Sequence, residues 1–306
     1  MTTNTKAYIA LGIVCFFWGT TYLALRIGVQ GFPPFLFSGI RQVAAGILLF
    51  LFLKLTGRLE KFTMNDVAKQ ALPGFLLITL GNGIIGWSEL YIPSGLAALI
   101  VSIIPIYIAI ISILFGKDRK PPTARAIAGL LLGGVGIVLI FKDNLDDLTR
   151  QEYLWAVLAA FAASLFWAFG SVYMKNNTFN TNAYTNATLQ FTTGGIGLLL
   201  SSLMFDDYST LSAVTTDSIW ALVYLIFIGS ILAYLSYLYA IEHLPIVVVA
   251  TYAYVNPVIA ILLGVMLLNE KVTWITAFAL ITTLYGVYLI NSGYRPTTGK
   301  VPQNDK

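Results

Sequence analysis

Long apolar runs dominate the chain, broken at fairly even intervals by short polar or proline-bearing stretches. Ten of them are predicted to be helices, at 7–27, 35–55, 69–90, 94–115, 124–141, 153–174, 183–205, 219–241, 245–268 and 274–291. About 20 residues at 1.5 Å each carry a helix across about 30 Å of hydrocarbon. The breaks fall at Pro33-Pro34, Gly57-Arg58, Pro93, Pro121-Pro122, residues 142–152, residues 176–182 and Asp206-Asp207. The runs are continuously apolar rather than alternating with period two, which argues against a membrane β-barrel. The first run is expected to be a span and not a cleaved leader. It is long, has no small-x-small cleavage site, and nine more runs follow it.

Composition narrows the class. Of 306 residues, 58% are apolar and 10% are charged, with a mean hydropathy of +0.79. A soluble domain carries about 25% charged residues, so a soluble enzyme is excluded, and so is a disordered chain. A single cysteine, Cys15, and a single histidine, His243, leave no intrachain disulfide and no two-histidine metal centre. No glycine-rich loop runs into Lys-Ser/Thr, so no ATP site, metal or cofactor is expected. The net charge of +4 reads as a topology signal rather than as affinity for nucleic acid. Thirteen of the 18 Lys and Arg residues fall on the side that holds the N-terminus and the loops after even-numbered runs. By the positive-inside rule both termini are expected in the cytoplasm, with the chain in the inner (plasma) membrane. The expected partners are the lipid bilayer and a small-molecule substrate, with the chain a monomer or weak dimer.

The two halves of the chain resemble each other. Phe16-Phe17-Trp18-Gly19 recurs as Leu165-Phe166-Trp167-Ala168, and Arg41 falls on Gln190 at the same spacing. At a second common spacing Tyr91-Ile92-Pro93 matches His243-Leu244-Pro245 and Pro105 matches Pro257. Asp118-Arg119 matches Glu270-Lys271, and Gly134-Val135 matches Gly286-Val287. Residues 1–147 and 148–306 therefore read as two copies of a five-helix unit. Five is odd, so the second copy is expected to be inverted relative to the first, as in secondary transporters with a midplane site at the repeat interface.

These motifs carry a family resemblance. Trp18-Gly19-Thr20-Thr21-Tyr22, Phe32-Pro33-Pro34 and Ile40-Arg41 resemble the opening helices of an EamA-type repeat. Residues 91–100, Ile104-Pro105 and Gly133-Gly134-Val135-Gly136 resemble its last three helices. The second half fits through Leu244-Pro245, Asn256-Pro257, residues 268–271 and Gly286. The whole resembles a ten-helix member of the drug/metabolite transporter superfamily. Two departures stand out: Gly116-Lys117-Asp118-Arg119, where the family usually has a Gly-Glu pair, and Ala168, where the first half has Gly19. The resemblance implies an exporter of amino acids or other metabolites. Fold alone does not name a cargo.

Polar residues inside the apolar runs mark the candidate site. Pro105 and Pro257 each free a carbonyl at mid-helix and are expected to bend their helices beside a path. Ser102 precedes the first, and Tyr252, Tyr254 and Asn256 precede the second. Trp18 and Trp167 sit in mid-helix, whereas Trp155, Trp220 and Trp274 sit at run ends like belt residues. A central indole N–H needs a partner, which makes Trp18 and Trp167 cavity candidates. Arg41 lies roughly 10 Å deep in its helix, where a charge needs a partner. Glu89 is the carboxylate expected at similar depth. Arg41 either bridges to Glu89 or snorkels to the surface as structure, or it holds a substrate carboxylate while Glu89 holds a substrate amine or a proton. Asn82, Asn186 and Gln190 add neutral hydrogen-bonding groups, while Gly129, Gly133, Gly194, Gly195 and Gly197 suit close helix packing. A secondary transporter of small polar or aromatic metabolites follows. Facilitated diffusion, exchange and proton antiport all stay open as its coupling. A nucleotide-sugar-like antiporter shares the architecture but needs more basic groups, and an intramembrane enzyme needs convergent catalytic groups that the runs lack.

Overall fold

The computed structural model describes residues 3–115, 123–143, 150–268 and 273–293, and within these every regular element is helical. In order they are α1 (Thr3–Val29), α2 (Pro34–Leu55), α3 (Met64–Ser88), α4 (Ser94–Phe115), α5 (Ala124–Asp143), α6 (Gln151–Asn176), α7 (Ala183–Phe205), α8 (Thr216–His243), α9 (Ile246–Leu267) and α10 (Trp274–Gly293). Eight are long and apolar enough to cross a membrane. The other two, α5 and α10, carry shorter apolar stretches at Ala124–Gly136 and Ala277–Gly286. The 147/148 boundary between halves falls outside the described residues. So do the charges of Lys117, Asp118, Arg119, Lys120, Glu270, Lys271, Arg295, Lys300 and Lys306.

Capping explains where the helices begin earlier than hydropathy predicts. At the start of α3 the Thr63 side chain accepts from the Asp66 N–H, and the Asp66 carboxylate accepts from the Thr63 N–H at 2.9 Å. Thr215 caps α8 by accepting from the Ser218 N–H. Such caps satisfy the orphan donors of the first turn, so the helix starts in polar sequence ahead of the apolar run. At the end of α2, Gly57 adopts φ +68° and the Arg58 N–H reaches back to the Leu53 carbonyl, closing the helix.

Four helices are irregular inside. A π-helical segment occupies Gly74–Asn82 within α3, and another occupies Leu225–Leu232 within α8. Between Val101 and Ile104, α4 is interrupted, and α9 is interrupted between Val249 and Tyr252. At both interruptions the ladder tightens to three-residue bonds, such as Ile103 N–H to the Ile100 carbonyl and Thr251 N–H to the Val248 carbonyl.

The halves interleave. The first helix of each half lies against the third and fourth of the other: α1 packs on α8 and α9, and α6 on α3 and α4. The remaining two pairs are α2 with α7 and α5 with α10. The pair α2–α7 is antiparallel. Asp206, just past the end of α7, accepts from the Leu36 N–H at the start of α2, at 2.7 Å. Glu60, past the end of α2, accepts from the Asn182 N–H at the start of α7, at 2.6 Å. Small residues let these helices approach: a Cβ on Gly286 of α10 would come within 2.6 Å of the Gly129 carbonyl of α5. Outward faces carry Leu203 (74% exposed) and Met266 (73%), surface that only lipid tails cover at low cost. Trp155, Trp220 and Trp274 are exposed near helix ends, whereas Trp18 is buried.

Candidate functional site

Where the two halves meet, α1, α2, α3, α4, α6 and α9 enclose a cavity of about 70 Å³. Six of the residues singled out from sequence line it: Trp18, Arg41, Asn82, Trp167, Tyr252 and Asn256. Thr21 and Tyr22 of α1 and Ser164 of α6 also line it, and sequence reasoning did not single them out. Their hydroxyls in apolar helices look like those that bond to their own backbone. Two of them do: Thr21 Oγ1 donates to the Trp18 carbonyl and Ser164 Oγ to the Ala160 carbonyl.

The wall is aromatic. The repeat mates Trp18 and Trp167 touch edge to face with centroids 5.4 Å apart, and Trp18 lies 4.9 Å from both Tyr237 and Tyr252. Such contacts contribute beyond the area they bury. The Trp18 N–H donates to the Gly229 carbonyl at 3.1 Å. Gly229 lies in the π-helical segment of α8, where the wider turn loosens the ladder and offers a carbonyl to a neighbouring helix. Nothing in the local sequence marks that segment. The Trp167 N–H and the Tyr252 hydroxyl, by contrast, interact only loosely with each other, short of a hydrogen bond of normal geometry.

Arg41 supplies the charge. It is 3% exposed, and its Nε donates to Ser230 Oγ at 2.9 Å while a terminal nitrogen donates to Asn82 Oδ1 at 3.4 Å. Ser230 in turn donates to Gln42 Oε1 at 3.2 Å. Two of the five guanidinium N–H groups are thus engaged. Glu89, fully buried just past α3, acts on Arg41 as an attracting charge, while the direct hydrogen bonds of the guanidinium go to Ser230 and Asn82. This opposite charge offsets part of the desolvation of Arg41.

Several expected residues lie elsewhere. Asn186 and Gln190 line a second cavity of about 320 Å³ between the ends of α6, α7 and α8. There Tyr234 donates to Gln190 Oε1 and Gln190 donates to Gln70 Oε1, both at 2.5 Å. Gln70 donates onward to Asn186 at 2.9 Å. Tyr254 is buried against Gly133 of α5. Ser102 turns back on its own helix, donating to the Leu99 carbonyl at 2.5 Å. Asn256, with its amide oriented to satisfy both groups, donates to the carbonyls of Tyr252 and Cys15 and so ties α9 to α1. The break in α4 lies directly before Pro105, as the freed carbonyl predicts. Pro257 instead sits within a continuous helix, and the break in α9 lies more than a turn earlier, at Ala250-Thr251. The Thr251 side chain donates to the Val248 carbonyl there, as Ser102 does in α4.

Residues 5–142 and 154–292 each match the EamA-like transporter family. The chain belongs to this family. The family domain is present twice, and an EamA-like transporter is a membrane transporter. Among its relatives is the "Uncharacterized inner membrane transporter YedA" of Escherichia coli (strain K12), 34% identical over 93% of this chain and 90% of that protein. Another is the "Uncharacterized transporter YvbV" of Bacillus subtilis (strain 168), 25% identical over 94% of this chain and 92% of its own. A solved crystal structure 18% identical in sequence superposes with a TM-score of 0.72 over 95% of this chain and 99% of its own, which establishes a common fold.

Proposed function

We propose that this EamA-like transporter exports small polar or aromatic metabolites, such as amino acids, across the inner membrane by alternating access to the central cavity. In this reading all ten helices span the membrane. Residues 1–147 and 148–306 form two inverted five-helix repeats, both termini are cytoplasmic, and the carrier works as a monomer or weak dimer. One observation carries the proposal. Trp18 and Trp167, matched across the halves, meet edge to face at a cavity that also holds Arg41, Asn82 and Tyr252. Arg41 suits a carboxylate, and the indoles suit an apolar or aromatic body.

Arg41 is the one cationic residue lining the cavity among the described residues. A nucleotide-sugar-like substrate with two phosphates is therefore the poorer fit. Export, rather than import, is the direction that the resemblance to exporters favours. For coupling, Glu89 is a fully buried carboxylate that acts on Arg41 but does not line the cavity, so exchange and facilitated diffusion fit as well as proton antiport. The test is vesicle uptake by the purified chain over amino acids, nucleosides and quaternary amines, with and without a pH gradient. Saturable movement of a carboxylate-bearing solute, lost in R41Q, is expected. Rates equal to those of empty vesicles across the whole panel would overturn the proposal.

A further inference from the structure

Around the cavity each half's first helix gathers the third and fourth of the other, giving two groups that also pack on each other through α4 and α9. One is α1 with α8 and α9, which brings Trp18 and Tyr252 to the cavity; the other is α6 with α3 and α4, which brings Trp167, Asn82 and Val101. Two cations cross from one group to the other. Arg26, in the last turn of α1, donates through a terminal nitrogen to the carbonyls of Glu89 and Ile92 in the turn from α3 to α4, the latter at 2.7 Å. Lys175, in the last turn of α6, donates to the carbonyls of Ile241 at 2.6 Å and Leu244 at 3.0 Å in the turn from α8 to α9.

These contacts are repeat mates throughout. Arg26 and Lys175 are separated by 149 residues, as Trp18 and Trp167 are. Glu89 and Ile241, and Ile92 and Leu244, are separated by 152, as Pro105 and Pro257 are. They also lie at opposite ends of the molecule. Arg26 is beside the start of α2 and Lys175 beside the start of α7, and those two helices run antiparallel, joined end to end through Asp206 and Glu60. A cation set on terminal carbonyls is favoured by the charge those carbonyls carry. Lys175 also borders the 320 Å³ cavity whose lining includes Asn186 and Gln190.

We infer that Arg26 and Lys175 are opposed latches, each fastening the two helix groups at one end of the cavity, and that opening either side of the carrier requires release of the latch on that side alone. The inference rests on the alternating-access reading above. In this structure both latches are engaged.

Thiol accessibility tests this without a known substrate. In a Cys15→Ser background, S164C places one cysteine on the cavity wall. A membrane-impermeant methanethiosulfonate reagent is then applied to right-side-out and inside-out vesicles. R26M is expected to speed labelling about tenfold from one face only, and K175M by a similar factor from the opposite face only, the scale of losing a charged hydrogen bond. R26K and K175R should stay near the parent. R26Q and K175Q serve where a methionine variant does not fold. Unchanged labelling from both faces, an increase on the same face for both variants, or equal increases on both faces would overturn the latches. A failed solute screen beside opposed labelling would sink only the proposed cargo. Active transport beside unopposed labelling would sink only the latches.

Discussion

Arg41 of α2 and Gln190 of α7 occupy matched positions in the two halves, and each reaches to the third helix of its own half at a matched position. Arg41 donates to Asn82, and Gln190 accepts from Tyr234. The frame is the same and the chemistry is not. In the first half the position holds a buried cation facing the cavity, steadied by Ser230 and the field of Glu89. In the second half it holds a neutral amide whose oxygen and nitrogen are both engaged in a chain of side chains running toward the end cavity. Duplication supplied two equivalent sockets, and divergence made one a candidate ligand contact and the other a brace. A symmetric scaffold can therefore hold an asymmetric solute in one orientation.

Making the halves alike should cost most. R41Q is expected to lower vesicle uptake of a carboxylate-bearing solute by roughly 10- to 100-fold, the scale of a charged hydrogen bond expressed as a rate. R41K, which keeps the charge, should recover part of it. Next, Q190L strips Gln70 and Tyr234 of a partner and should destabilise the protein by about 1–3 kcal/mol in detergent unfolding, the cost of stranding buried polar groups. An unchanged unfolding midpoint would show that the amide chain braces nothing. The prolines give a smaller contrast. P105A, directly after the break in α4, should slow uptake by roughly 3- to 10-fold, about 1 kcal/mol of altered bending. P257A, inside a continuous helix, should slow it less, and both proteins should still insert into membranes. Equal effects would deny the difference between the two breaks. Smallest is the pair W18F and W167F. The first loses the bond to Gly229 and about 1 kcal/mol of stability; the second loses only a looser contact with Tyr252 and should change uptake more than unfolding.

The sequence makes eight of the ten expected spans legible because a hydrocarbon solvent imposes one strong rule, about 20 apolar residues per crossing. Trp18, Trp167 and Arg41 are legible for the same reason, since each is expensive in lipid and so points inward. The wandering of Asn186, Gln190 and Tyr254 away from the cavity has a different origin. Depth along a helix can be read from spacing, but rotation about its axis depends on which neighbour it packs against, and that is long-range information. Ser102 illustrates the limit, because a hydroxyl in an apolar helix can satisfy itself on the preceding turn and face nothing. The π-helical segments escape detection too. They shift the ladder by a single residue, which leaves hydropathy unchanged while bringing Gly229 and Ser230 to Trp18 and Arg41.

The elbow in α4 has a pharmacological corollary. Val101 and Ile104 flank it and also face the cavity, and the backbone between them is held by three-residue bonds in place of the regular ladder. If that elbow bends during transport, a compact apolar compound seated against those two side chains should slow uptake without resembling the cargo.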